Sequence, residues 1–195
     1  MVEPGVFVPR RRTEFLAERA AALVRDGSVV VDLCCGCGAV GAVVAEAARV
    51  RLYAADVDPA AVACARRNLA GTGAVVVEGD FDAPLPESLR GRVDVLVANV
   101  PYVPSGAVAS MPPEAREHEP RATLDGGTDG LVVARRLVAA APRWLAPGGA
   151  VLFEAGADQV PPAVAAVRRA GMVPEVRHCD ERDATVVVGT VADRF

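Results

Sequence analysis

Ser28-Val29-Val30-Val31-Asp32-Leu33-Cys34-Cys35-Gly36-Cys37-Gly38-Ala39-Val40-Gly41 decides the fold of this chain. Residues 28–34 form a short apolar run, rich in β-branched side chains, that reads as a buried strand, and residues 39–48 carry a helical pattern. Between them Gly36, Gly38 and Gly41 satisfy the spacing G-x-G-x-x-G, and Asp56 lies twenty residues after Gly36. A strand, a glycine turn and a helix in this order open a βαβ unit whose backbone lets a nucleotide approach closely.

The alternation continues outward from this unit. Arg51 to Ala55 reads as a second strand closed by Asp56, and Asp58-Pro59 opens a helix to about Leu69. Aspartate suits the N-cap there, and proline suits the first helical position. Ala74 to Val77 and Val93 to Ala98 follow as strands; a long loop from Val103 to Gly127 precedes a helix from about Thr128 to Trp144. Pro147-Gly148-Gly149 turns into a strand from Ala150 to Glu154, and a helix near Pro161 to Ala170 leads to strands at Val173–His178 and Ala184–Thr190. The link between these last two is too short for a crossover, so they pair antiparallel. The expected architecture is α/β: a mostly parallel, doubly wound sheet with one reversed strand near its edge. The expected organisation is one domain over 1–195, with an opening segment and first helix in 1–27 and a Rossmann-like core in 28–195.

Composition narrows the function classes. The 195 residues include no lysine and no isoleucine, a bias that suits a GC-rich genome, and the formal charge is −4. That charge argues against a general electrostatic grip on nucleic acid, and Arg10-Arg11-Arg12 is too short a basic cluster to reverse it. No apolar run approaches a membrane span and no signal-peptide core opens the chain, so a soluble cytoplasmic protein is expected. Cys34, Cys35 and Cys37 lack a second ligand pair, and His118 and His178 stand far apart; no metal site is expected. The three cysteines read as small residues of a tight loop, with Cys64 and Cys179 as apolar fillers.

The glycine loop and Asp56 suit any ligand that carries an adenosine, NAD or S-adenosylmethionine alike. Asp32 separates the two, because a carboxylate four residues before Gly36 would face a pyrophosphate unfavourably. It would stabilise the ammonium and sulfonium of S-adenosylmethionine by Coulomb attraction. The expected cofactor contacts are Asp32, Cys34, Cys35, Gly36, Cys37 and Gly38 from the first unit, Asp56 at the ribose with Val57 beside it, and Asn99. Asp80 would accept the adenine amine and Phe81 would cover the base.

Asn99-Val100-Pro101-Tyr102 follows the apolar run Val93–Ala98. It puts a carboxamide, a backbone fixed by proline and an aromatic ring at a strand end, where open α/β sheets hold their ligands. Asparagine occurs only at 68 and 99 in the whole chain.

Residues 31–38 and Asn99-Val100-Pro101-Tyr102 resemble the first motif and the Asn-Pro-Pro-Tyr motif of the HemK/PrmC protein-(glutamine side-chain amide) methyltransferases. Pro9-Arg10-Arg11-Arg12-Thr13-Glu14 is similar to that family's opening Pro-Arg-x-x-Thr-Glu, and residues 119–131 resemble its downstream loop. Within the family the chain looks closest to a group from GC-rich Gram-positive bacteria whose substrate is unassigned. The resemblance implies a class I S-adenosylmethionine-dependent methyltransferase fold, S-adenosylmethionine as cofactor, and a protein substrate, a peptide chain release factor.

It also implies that Asn99, Val100, Pro101 and Tyr102 are the catalytic residues, and that Glu14 and Thr13 close over the methionine side of the cofactor, a helix-capping role being the alternative. Two departures accompany it. The segment that opens the catalytic domain begins within ten residues of Met1, so the family's helical recognition domain is expected to be absent, and Val100 stands where the family has proline. The alternatives to glutamine methylation are N-methylation of a nucleobase or small metabolite, a non-catalytic cofactor-binding protein, and a dehydrogenase. The loop from 103 to 125 is expected to move on substrate binding, with Glu119 and Arg121 shaping its entrance.

Overall fold

In the computed structural model, which describes residues 1–111 and 119–193, the β-branched runs become strands and the alanine-rich segments helices. The strands are β1 Val29–Leu33, β2 Arg51–Asp56, β3 Val75–Glu78, β4 Val93–Ala98, β5 Leu145–Glu154, β6 Val173–Cys179 and β7 Ala184–Thr190. The helices are α1 Arg11–Ala21, α2 Ala39–Ala47, α3 Pro59–Asn68, α4 Val132–Trp144 and α5 Val160–Arg169, with short 3-10 turns between elements. All seven strands form one sheet in the order β3-β2-β1-β4-β5-β7-β6. Only β7 runs against its neighbours, pairing antiparallel with both β5 and β6. The seven-stranded sheet with one reversed strand near its edge is the one read from the sequence.

Side-chain alternation sorts the core into two layers. Val29, Val31 and Leu33 of β1 pack beneath α4 and α5, where Trp144 and Val167 are fully buried. Val30 of the same strand turns the other way, toward Leu16 of α1 and Val44 of α2. β1 is buried at all five positions, as a central strand covered on both faces must be. β1 leads into α2 and then β2 on one side, whereas β4, β5 and β7 extend the sheet on the other. The strand order therefore reverses between β1 and β4, and a crevice opens at their carboxyl ends.

Two boundaries differ from the sequence reading. The fourth helix begins at Val132 rather than Thr128. Residues 125–131 are instead a turn: Asp125 accepts from Gly127 N at 3.0 Å, Asp129 accepts from Leu131 N at 3.1 Å, and Gly130 adopts φ +75°. β5 begins at Leu145, before Pro147-Gly148-Gly149. Its pairing with β4 jumps from Val93↔Leu145 to Val95↔Ala150, so the glycines sit in an irregularity inside the strand.

Candidate active site

The glycine loop is built around a buried carboxylate. Asp32, near the end of β1, is fully buried, and its Oδ2 accepts the N–H of Gly41 at 3.0 Å. A Cβ on Gly41 would stand 3.0 Å from Leu52 and 3.3 Å from Asp32 Oδ2, so an alanine there would make Leu52 or the Asp32 carboxylate give by a few tenths of an ångström. Asp32 Oδ1 has no hydrogen-bond partner among the described residues. Burial pushes the Asp32 carboxyl up to about 7; the Gly41 N–H opposes the rise and the nearby Asp56 charge adds to it. An unpartnered buried carboxylate oxygen is a seat for a cation, which fits an ammonium-bearing cofactor and disfavours a pyrophosphate.

Asp56 holds the far side of the loop. Its Oδ2 accepts from Gly36 N at 2.8 Å and its Oδ1 from Asp58 N at 3.0 Å, and each oxygen keeps a lone pair for a hydroxyl. Asp58 in turn caps α3 through Ala60 N, as the sequence indicated. Burial raises the thiols of Cys34, to about 12, and of Cys35 and Cys37, which makes them lining groups and not nucleophiles. Among the described residues no three His, Cys, Asp or Glu side chains cluster as a metal site would need.

A cavity of about 380 Å³ occupies the crevice, and every residue expected at the cofactor lines it except Gly38 and Glu14. Gly38 instead turns the chain, at φ +79°, as the N-cap of α2. Thr13 reaches the cavity from α1, where its Oγ1 also accepts from Arg10 N at 3.3 Å, so it sits at the third helical position and caps as well as lines. At the opposite end Asp80 is paired with Arg136 of α4 by two bonds, 2.8 and 3.0 Å, and the same guanidinium lies 4.6 Å from the Phe81 ring centroid. The sequence reading assigned Asp80 to the adenine amine and Phe81 to the base face; the structure adds a guanidinium that engages both.

Asn99 lies where the large cavity meets a smaller one of about 30 Å³ that also touches Val100, Tyr102 and Glu154. Neither the Asn99 carboxamide nor the Val100 carbonyl has a hydrogen-bond partner among the described residues. Asn68 shows the contrast: its Nδ2 donates to the backbone oxygens of Met1 and Cys37, at 2.7 and 2.8 Å. Tyr102 stands between Glu154 and Arg12, and its phenol is pushed up to about 12 by burial and by the Glu154 carboxylate. Glu154 ends β5 beside Asn99, because Ala98 and Phe153 are paired across β4 and β5.

The long loop is pinned at its two ends by Val103 N to Leu124 O at 3.1 Å and Gly126 N to Val103 O at 2.8 Å. Glu119 pairs with Arg10 of the opening segment at 2.9 Å, and Arg121 with Asp125 at 3.1 Å. His118 lies outside the described residues. Arg136 and Gln159 were not singled out from the sequence, Glu154 was read only as a strand end, and Arg12 only as part of a short basic cluster and of the opening motif. Glu154 carried a usable signal, an acid at the end of a parallel strand like Asp56, whereas Arg136 reaches the site only through tertiary packing.

A seven-stranded sheet of this order, with a reversed β7 and an acid-lined cavity at the β1–β4 switch, is the class I S-adenosylmethionine-dependent methyltransferase fold. The chain belongs to the methyltransferase small domain family, which matches residues 2–114, more than half of its length. It is 47% identical over 158 residues to a release factor glutamine methyltransferase of Mycolicibacterium smegmatis, covering 78% of this chain and 55% of that one. It is 42% identical over 176 residues to a 4-amino-L-phenylalanine/4-methylamino-L-phenylalanine methyltransferase of Streptomyces pristinaespiralis, covering 86% and 60%. The chain thus spans little more than half the length of these relatives. Among solved structures, the E. cuniculi Mtq2–Trm112 complex, described as methylating the eRF1 translation termination factor, superposes with a TM-score of 0.66 at 20% identity. That likeness covers 97% of this chain and 99% of the other and concerns the fold. Among the described residues no helix is long and apolar enough to cross a membrane.

Proposed function

We propose that this chain is an S-adenosylmethionine-dependent N-methyltransferase acting on a glutamine side-chain amide of a protein, a peptide chain release factor in the cytoplasm. The observation that carries the reading is a pair of acceptors unpartnered among the described residues: the Asn99 carboxamide oxygen, where the two cavities meet, and the Val100 carbonyl next to it at the smaller one. A primary amide presents two N–H groups on a planar nitrogen, and these two acceptors match them one to one.

Asp32 would hold the cofactor's ammonium, Asp56 and Val57 its ribose, and Asp80 with Phe81 its adenine, while Thr13 would close the methionine end. When bound, S-adenosylmethionine supplies a methyl group activated by a sulfonium. The chain's own residues orient the acceptor. An amide lone pair is delocalised into its carbonyl, so the nitrogen attacks poorly unless it is fixed in line and its N–H bonds are polarised. Asn99 and Val100 do both by accepting those hydrogens, Pro101 fixes the turn, and Tyr102 packs on the flat amide. Positioning of this kind is worth up to roughly 7–11 kcal/mol. Valine supplies the required carbonyl as well as proline would.

The second reading is methylation of an amine nitrogen on a small metabolite, favoured by the 42% identity to a methyltransferase of an aromatic amino acid. One experiment separates the readings. Labelled S-adenosylmethionine is supplied with the host release factor, with 4-amino-L-phenylalanine, or with host nucleic acid. Label on a release-factor glutamine supports the proposal, label on the amino acid supports the second reading, and label on nucleic acid overturns both.

A further inference from the structure

We propose that Glu154 and Gln159, both contributed by the segment that ends β5 and leads into α5, are positioning residues that lock Tyr102 in its acceptor-facing place. Tyr102 is held from two directions. At its backbone, Gln159 Nε2 donates to Tyr102 O at 2.7 Å and to Asp129 O at 3.0 Å. Gln159 is itself fixed, because its Oε1 accepts from Gly156 N at 2.8 Å. The amide therefore ties together three segments: the Asn99–Tyr102 strand end, the turn before α4, and the β5–α5 connection.

Gly130 is what allows the approach. A Cβ there would stand 2.2 Å from both Gln159 Nε2 and Tyr102 O.

At its other end the Tyr102 phenol meets the Glu154 carboxylate and the Arg12 guanidinium. Glu154 is only 2% exposed, and both residues line the small cavity that Asn99 shares. A buried carboxylate beside an acceptor pocket calls for a donor, and the Tyr102 phenol in the same cavity wall would be that donor. Burial raises the Glu154 carboxyl, while the Tyr102 hydrogen bond and the charges of Arg12 and Arg10 oppose that rise. The outcome is a ring with little freedom at either end. Since the cofactor cavity is lined by other residues, acceptor orientation depends on this lock and cofactor affinity does not.

The inference rests on the acceptor role proposed for Tyr102, and the test separates the two. The chain has only two tyrosines, so protein labelled with ¹³C at the tyrosine ring carbon bearing the hydroxyl gives two signals, assigned with a Tyr53→Phe variant. Glu154→Ala is expected to shift the Tyr102 signal alone and to leave S-adenosylmethionine affinity within about twofold. With release factor as acceptor, Glu154→Ala should lower kcat at least tenfold with KM for the cofactor unchanged. Glu154→Gln, which keeps an oxygen for the phenol, should recover most of that rate. Gln159→Ala should also lower kcat. An unmoved Tyr102 signal, cofactor affinity falling in parallel with kcat, or wild-type kcat in Glu154→Ala overturns the lock. Should the wild-type protein leave the release factor unlabelled, the glutamine reading fails, and the signal shift together with cofactor affinity still decides the positioning.

Discussion

Asp32 accepts the Gly41 N–H with one carboxylate oxygen at 3.0 Å and keeps the other buried without a partner among the described residues. This relationship joins β1 to α2 and leaves a seat for one positive group at the floor of the cavity. It also makes cofactor binding depend on pH. Burial pushes the Asp32 carboxyl up to about 7, so it is largely neutral in mild acid. An ammonium favours the ionised form, which lowers the carboxyl's pKa on binding, and binding below about pH 7 therefore releases a proton. Affinity should rise with pH up to about 7, by at most about tenfold per unit, and then level off. Asp32→Asn should bind weakly and without this slope. Calorimetry between pH 5.5 and 8.5 checks both points, and a flat profile for the unaltered protein would remove Asp32 from the cofactor site.

Asp56 is expected to matter for the ribose and for the loop at once, since Gly36 N and Asp58 N already bond to it. Asp56→Ala should weaken S-adenosylmethionine binding by roughly 1.5–3 kcal/mol, the usual worth of hydrogen bonds to a charged group. Asp56→Asn keeps one acceptor oxygen and should fall between. The same titrations measure it, and unchanged affinity in the alanine variant would show that the ribose lies elsewhere.

Stability away from the site depends on Asp82. It accepts the indole N–H of the buried Trp144 at 2.9 Å and also pairs with Arg143. Asp82→Ala strands that N–H in the core and should cost about 1–3 kcal/mol in urea unfolding, while cofactor affinity stays unchanged. A loss below about 0.5 kcal/mol would mean that solvent reaches the indole.

The parts of the fold that read clearly from sequence are those fixed by local rules. Val93–Ala98 appears at its observed bounds because five apolar residues, interrupted only by Asp94, end against Asn99, and Asp58-Pro59 caps α3 because both residues act within one turn. The start of α4 was misplaced because the turn at 125–131 is shaped by distant groups: Gly130 adopts its left-handed conformation against Tyr102 and Gln159. At the site, Asp32, Asp56 and Asn99 were legible because each stands at the carboxyl end of a parallel strand. Arg136 was not, since it meets Asp80 across 56 residues of chain and sits in a helix whose pattern marks only its core face.

The central claim is that Asn99 orients the acceptor nitrogen, and methyl transfer by Asn99 variants tests it most directly. With the release factor and labelled S-adenosylmethionine, Asn99→Ala should lower kcat by orders of magnitude while unfolding stability changes by less than about 1 kcal/mol. Asn99→Asp keeps the size and an acceptor oxygen but adds a charge beside the sulfonium, so it should bind the cofactor and turn over slowly. Val100→Pro should be nearly neutral, because only its carbonyl is used. Transfer by Asn99→Ala at the unaltered protein's rate would make Asn99 a turn residue and contradict the account.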